Sequence, residues 1–335
     1  MRMDRTSMAA LVAAFLATQA CAAPADKVTA AERDSAGDAL TPARPYALPA
    51  EDDPLLKPIA EDYAKQWLSP APPTKIYGNA YMVGFGDLNV GLIRTNAGLI
   101  LIDGAVPQAV PDIEKNIAAL GFKLSDIKYI LSTEPHYDHS GGLAALQRDS
   151  GVAPVLAGVD AVAELRSGIG DPKDPQGSTL EAFPAIPVVR GMRDGETVTL
   201  GDVTVTAVST PGHTLGSTSW SWQSCEGKAC KTVVFAASPN PASSGNYQFS
   251  SAGGKIYADA FRRTFAGLRS MPCDILITAH PSQSKGAEKL AALRAGQGGK
   301  AGTNPFVDPQ ACKNLAAVFE KKLEDRLAKE EAQVK

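Results

Sequence analysis

The chain has 335 residues, enough for one large domain or two ordinary ones, and 44% of them are apolar, so a sizeable core is within reach. A net charge of -3 speaks against a nucleic-acid-binding protein, which carries a basic patch. A small-molecule partner suits the composition better.

The N-terminus reads as a secretory signal over residues 1–22. Arg2 and Arg5 supply the positive start, "MAALVAAFLATQA" (8–20) the short apolar stretch, and "TQACAAPAD" the small residues of a cleavage site. Thr18 is a poor lipobox residue, which disfavours a lipoprotein anchored at Cys21, and no later apolar run is long enough to span a bilayer. The expected location is the periplasm, as a monomer with no membrane attachment in its mature form. Residues 23–60 are rich in Ala, Pro, Asp and Ser and read as a flexible segment. A single domain is expected over 61–335.

"EDYAKQWLS" (61–69) suits a short helix that the following prolines end. Residues 75–105 read as three strands, split by turn signals at Gly78-Asn79, Gly86-Asp87 and Asn96-Ala97-Gly98. Val110, Ile113, Ile117 and Leu120 recur at helical spacing, with Gly121 as the stop. "IKYILS" is a buried strand, "GGLAALQRDSG" a helix, "APVLAG" a strand and "DAVAELRS" another helix. Residues 168–187 form a long Gly- and Pro-rich loop, either the wall of a site or a passive excursion.

A second β-rich half follows. "ETVTLGDVTVTAVSTPGHT" holds two strands, "STSWSWQS" and "KTVVFAAS" a hairpin, "YADAFRRTFAGLRSM" a helix and "CDILITAH" a strand. The chain closes on a helix that Asp308 can cap and Pro309 can begin, with Cys312, Leu315, Phe319, Leu323 and Leu327 as its apolar stripe. Repeated β-then-α halves suggest an α+β fold in which two sheets lie between helical layers.

Four cysteines remain beyond the signal, an even number that suits an oxidising compartment. Cys225 and Cys230 flank the hairpin turn "EGKA" and can clip it. Cys273 would then pair with Cys312 and tie down the last helix. A cysteine zinc site is the competing reading, but the C-x4-C spacing has no histidine beside it.

All four histidines lie just beyond strand-like runs. His136 and His139 follow "IKYILSTEP", His213 sits in "STPGHT", and His280 ends "CDILITAH". Strand ends gather at one edge of a sheet, so these positions can converge on a metal site. Within "STEPHYDHSGG" (132–142), neighbouring side chains of His136, Asp138 and His139 would point at two adjacent ions. One ion can take Glu134, His136 and His213, and the other Asp138, His139 and His280. Imidazole and carboxylate without thiolate suit zinc best. Two such ions about 3.5–4 Å apart can ready a shared water for nucleophilic attack, so the reaction class is metal-assisted hydrolysis. Asp103 and Ser140 are candidates to support these ligands, and Gly141 and Gly142 to let the chain turn tightly.

These residues resemble the metallo-β-lactamase superfamily, whose signature is H-x-H-x-D-H with later single histidines in an αβ/βα four-layer sandwich. More narrowly, "IDGAVPQ", "PGHTLGSTSW", "FAAS", "ILITAHPS" and the Cys273–Cys312 pair resemble the third subclass of class B β-lactamases. The resemblance implies two Zn2+ ions and a zinc-activated hydroxide that attacks the β-lactam carbonyl of penicillins, cephalosporins and carbapenems. It implies a catalytic, solvent-orienting role for Asp138. It also implies contacts of Ser238 and Asn240 with the substrate carboxylate. Two departures stand out: Glu134 replaces the usual first histidine, and Ala237 stands where many members carry aspartate. A lactonase or thioesterase of the superfamily is the runner-up, although many of those keep a bridging aspartate that Ala237-Ser238 lacks. A degenerate zinc-binding protein is the non-enzymatic alternative, with Glu134 as its mark.

Overall fold

The computed structural model describes residues 52–296 and 304–334. The expected signal segment, Cys21 and most of the N-terminal segment lie outside them. Among the described residues, no helix is long and apolar enough to cross a membrane.

Helix α1 (Glu61–Trp67) leads into β1 (Thr74–Tyr77), β2 (Ala80–Met82), β3 (Gly91–Thr95) and β4 (Gly98–Ile102). Four strands stand where three were expected, because each of the three turn signals separates a pair. The chain continues through α2 (Val110–Ala119), β5 (Ile127–Leu131), α3 (Tyr137–Ser140), α4 (Leu143–Asp149), β6 (Val155–Gly158), α5 (Val162–Ser167) and β7 (Val189–Met192). The second half comprises β8 (Thr197–Leu200), β9 (Val203–Ser209), β10 (Thr218–Glu226), β11 (Ala229–Ala236), α6 (Gly254–Ser270), β12 (Ile275–Thr278), α7 (Gly286–Arg294) and α8 (Ala311–Val334). Helix α8 begins later than Pro309: Asp308 accepts the Gln310 N–H in a preceding turn.

The first sheet has seven strands in the order β1 to β7, antiparallel up to β4 and parallel from β4 to β7. The second has five in the order β12-β11-β10-β9-β8, with only β11 and β12 parallel. Apolar residues alternate along the strands and fill both faces. Leu99, Leu101 and Ile130 pack on Ile113 and Ile117 of α2. Ile100, Ile102 and Leu131 point the other way, between the sheets, with Trp220, Phe235 and Ile277. Beyond the second sheet, Val234 and Leu276 pack on Phe261 and Phe265 of α6 and on the buried stripe of α8. The layers therefore run helix, sheet, sheet, helix, as the resemblance implied.

Residues 53–60 depart from the flexible reading. Leu55, Leu56 and Ile59 pack on the core, Asp53 pairs with Arg148, and Gln108 exchanges two hydrogen bonds with Ile59. These leucines and the isoleucine find a surface that composition alone does not reveal. Both disulfides form as expected. Cys225 and Cys230 are direct cross-strand partners, and Cys273–Cys312 joins the entry to β12 with the first turn of α8.

Candidate metal centre

Strands β4, β5, β9, β11 and β12 all end at one edge, and the loops beyond them carry the polar residues of the site. At the end of β4, Asp103 adopts a left-handed backbone, φ 64°, which is rare and costly for a residue with a side chain. Its carboxylate accepts both the N–H and the hydroxyl of Thr133 at 2.7 Å each, which pins the start of the motif loop. Ser140 donates to the Glu134 carbonyl at 2.8 Å and closes the same loop. Gly142 is required by crowding: a Cβ there would stand 2.2 Å from the Gly104 carbonyl oxygen.

The side chains converge as two groups, Glu134 with His136 and His213, and Asp138 with His139 and His280. In each, the possible ligand atoms lie within 4.8 Å of one another. Asp138 Oδ2 is 3.3 Å from His139 Nε2 and 3.2 Å from His280 Nε2, and these two nitrogens are 3.2 Å apart. Glu134 stands between the groups. Its Oε1 is 2.8 Å from His139 Nε2 and 3.8 Å from His213 Nε2. Ser238 donates to the same carboxylate from its hydroxyl at 2.9 Å and from its backbone at 3.2 Å.

Each histidine turns its other nitrogen to an oxygen. His213 Nδ1 donates to the Asn240 carbonyl at 2.8 Å, and His280 Nδ1 to the Asp87 carbonyl at 3.2 Å. His139 Nδ1 lies 3.5 Å from Asp103 Oδ2, and His136 Nε2 lies 3.3 Å from Asp174 Oδ2. For His213, His280 and His136 this is the arrangement that fixes imidazole tautomers around metals, while His139 Nδ1 makes no hydrogen bond.

The electrostatics suit cations. Burial alone would raise the Glu134 carboxyl, but the imidazoles of His139 and His213 hold it well below the usual carboxylate range. Burial opposes the charge of Asp138 too, yet His139 and His280 hold it well below its ordinary value. Among the described residues, neither carboxylate has a Lys or Arg partner. Buried charge of this kind is costly unless a cation or donor compensates it, and the imidazole–carboxylate donor set fits a zinc-type ion in each group.

A cavity of about 330 Å³ opens onto both groups, with Trp67, Tyr137, Gln176, Leu180 and Asn240 in its walls. Asn240 therefore faces the space where a substrate would sit. Ser238 is buried and is not among the lining residues, because its hydroxyl is engaged by Glu134. Loop 168–187 supplies a wall, through Gln176, Thr179 and Leu180.

That loop is seated partly on Glu164 of α5, whose carboxylate accepts the Asp171 N–H at 2.8 Å. Burial pushes the Glu164 carboxyl up to about 7, against that hydrogen bond, with Asp174 adding like charge. A folded value above the unfolded 4.5 means that the unfolded chain releases its proton first. Stability then falls as pH rises through that window and is flat above it. Glu164→Gln should be more stable than the parent by a margin that grows over this window and persists at pH 8. Denaturant midpoints at pH 5 and pH 8 test this, and equal margins would contradict it.

A family model described as the metallo-beta-lactamase superfamily matches residues 83–226. A solved B3 metallo-β-lactamase, characterised as the first with an active-site glutamic acid, is 45% identical, with 84% of this chain and 99% of that one covered and a TM-score of 0.75. The chain belongs to the metallo-β-lactamase superfamily. It falls in the B3 subclass with that glutamic-acid enzyme and with BJP-1 of Bradyrhizobium japonicum, a subclass B3 enzyme (37% identity; 81% and 99% covered; TM-score 0.71); Rm3 metallo-β-lactamase (40%; 82% and 100%; 0.77) also matches over its whole length. The first of these neighbours shows that an active-site glutamic acid occurs within this subclass.

Several residues of the metallo-β-lactamase site lie outside what the sequence motif marks. Trp67 and Tyr63 come from α1, Gln176 and Asp174 from the long loop, and the Asp87 carbonyl from the β2–β3 turn. The turn-forming "DPKDPQG" was the one sequence signal for the loop pair.

Proposed function

We propose that the protein is a periplasmic, zinc-dependent β-lactamase. The observation that carries this reading is the pair of buried imidazole–carboxylate groups opening onto one cavity, in a chain of the B3 subclass. Glu134, His136 and His213 would hold one ion, and Asp138, His139 and His280 the other. Zinc bound there would supply Lewis acidity and a water acidic enough to act as nucleophile near neutral pH.

The chain's own residues then have distinct tasks. Asn240, on the cavity wall beside His213, would bind the substrate carboxylate. Trp67, Tyr137 and Leu180 offer the apolar walls that a bicyclic lactam needs. Asp138 lines the cavity and is held between two imidazoles, so its carboxylate can orient the attacking water by accepting a hydrogen bond from it. The water oxygen bonds to the lactam carbonyl carbon, the C–N bond breaks, and the ring nitrogen takes a proton. Ser238 serves Glu134 in this arrangement rather than the substrate.

A panel of a penicillin, a cephalosporin and a carbapenem, with and without added zinc, tests the proposal. Ring opening should be seen and should vanish on EDTA treatment. Turnover of lactones or thioesters with no β-lactam turned over would replace it with another hydrolase of the superfamily, and no turnover with zinc bound would favour a binding protein.

A further inference from the structure

Asp174 lies on the loop after α5, distant in sequence from His136, yet its side chain is only 2% exposed and its Oδ2 stands 3.3 Å from His136 Nε2. Its other oxygen, Oδ1, accepts the Gln176 N–H at 2.7 Å. Backbone bonds Asp174 N to Asp171 O and Gly177 N to Asp174 O, both 2.9 Å, complete a tight double turn. A turn of this kind needs one carboxylate oxygen and no burial. Burying the second oxygen against an imidazole costs desolvation that the turn does not require. Among the described residues, Asp174 forms an ion pair with His136 alone.

We infer that Asp174 is a positioning residue that accepts the His136 Nε2 proton and so directs Nδ1 toward Glu134 and His213. The inference rests on reading that group as a zinc site. An unpartnered neutral imidazole can carry its proton on either nitrogen and can rotate, and only one arrangement offers a lone pair to the ion. His213 and His280 are held by backbone carbonyls, and His139 Nδ1 lies 3.5 Å from Asp103 Oδ2 without a hydrogen bond. His136 is held by a carboxylate of loop 168–187, whereas His213 is held by the Asn240 carbonyl on another part of the cavity wall. The same carboxylate fixes Gln176, whose Nε2 lies 3.3 Å from His213 Nε2. Occupancy of this ion site and the order of the wall are therefore linked, and the linkage is reciprocal: zinc should quiet the loop, and a disturbed loop should weaken zinc.

Asp174→Asn separates this role from a structural one. Asparagine keeps the size and one acceptor. If that acceptor keeps the short bond to Gln176, the NH2 faces His136 Nε2 and demands its lone pair, which moves the ring proton to Nδ1. In Asp174→Ala, a water can take the place of the lost oxygen, so the proton can stay on Nε2. Zinc affinity is read by competition with a chromophoric chelator, and the tautomer by 15N spectra of histidine-labelled, zinc-free protein. Loop protection is read by hydrogen exchange with and without zinc.

The expected result is an Nε2–H His136 in the parent and an Nδ1–H His136 in Asp174→Asn. One of the two zinc ions should bind roughly 10–100-fold more weakly in Asp174→Asn, with a smaller loss in Asp174→Ala. Zinc should protect residues 168–187 in the parent and less in either variant. Parent-like affinity for both ions in Asp174→Asn would overturn the inference. Equal losses in both variants with the proton still on Nε2 would reduce Asp174 to a structural turn. A parent that takes up no zinc at all would overturn the metal reading itself, and this inference with it, so the two failures are told apart by the unmutated protein.

Discussion

Glu134→Ala should bind one zinc ion where the parent is expected to bind two, and should lose most of its β-lactam turnover at low free zinc. The carboxylate is fully buried and touches His139, His213 and both donors of Ser238. Its removal deletes a candidate ligand, a negative charge shared by both groups, and the acceptor of a buried N–H and hydroxyl. Supporting partners of metal ligands are worth about 10–100-fold in affinity, so a ligand should be worth at least that. Glu134→Gln isolates the charge, because it keeps the size and an acceptor for Ser238. It should fall between the parent and Glu134→Ala. Glu134→His should retain both ions, since imidazole is itself a zinc ligand. Metal content after dialysis against buffered zinc, read beside turnover, checks all three. Unchanged zinc in Glu134→Ala would mean that the residue is no ligand, and its place between the groups would then be electrostatic only.

The position of Glu134 also refines what its spacing suggested. Spacing puts it with His136 and His213, and their ligand atoms do cluster, yet its shortest contact to a histidine is 2.8 Å, to His139 of the other group. A carboxylate has two oxygens and a longer reach than an imidazole, so it can face both ions. A histidine in its place offers one nitrogen at a time. The motif marks which residues meet, but not how one side chain divides itself between two centres.

The same distinction runs through the rest of the molecule. The strands leading to His136, His213 and His280 were legible for different reasons: β12 is buried throughout and reads as a continuous apolar run, β5 is mostly so, and β9 alternates buried and outward residues at the period of a one-sided strand. The apolar stripe of α8 was legible for the corresponding helical reason: Cys312, Leu315, Phe319, Leu323 and Leu327 are all buried on one side. Strand β7 and helix α7 were not. Gly191 weakens the β pattern of the first, and α7 buries little beyond Gly286 and Leu290, so it has no apolar stripe to read. Asp174, Trp67 and the Asp87 carbonyl escaped because their roles exist only once distant segments meet. Trp67 O accepts the Asp87 N–H at 3.2 Å, and the Asp87 carbonyl in turn accepts from His280. Nothing local in "GFGDLN" announces a peptide that links a helix to a metal-ligand candidate.

Replacing Cys273 and Cys312 together with alanine should cost about 4 kcal/mol, the chain-entropy value for a 39-residue separation. That corresponds to a fall in Tm on the order of 10 °C. Replacing Cys225 and Cys230 should cost no more than about 2 kcal/mol, since their separation of 5 residues closes a turn that the hairpin already forms. The larger effect should also reach the active site. Helix α8, anchored at Cys312, carries Arg326, which donates to the Ser243 hydroxyl at 2.6 Å and the Tyr247 carbonyl at 3.1 Å and stacks over Phe249. Ser243 and Asn240 belong to the loop that forms one wall of the cavity, and the Asn240 carbonyl holds His213. Loosening the helix should therefore raise KM for β-lactams before it lowers zinc content, because the wall moves before the ligands do. Matching losses of stability from the two cysteine pairs would contradict the entropic account, and an unchanged KM in the Cys273/Cys312 variant below its Tm would cut the proposed link from α8 to the substrate wall.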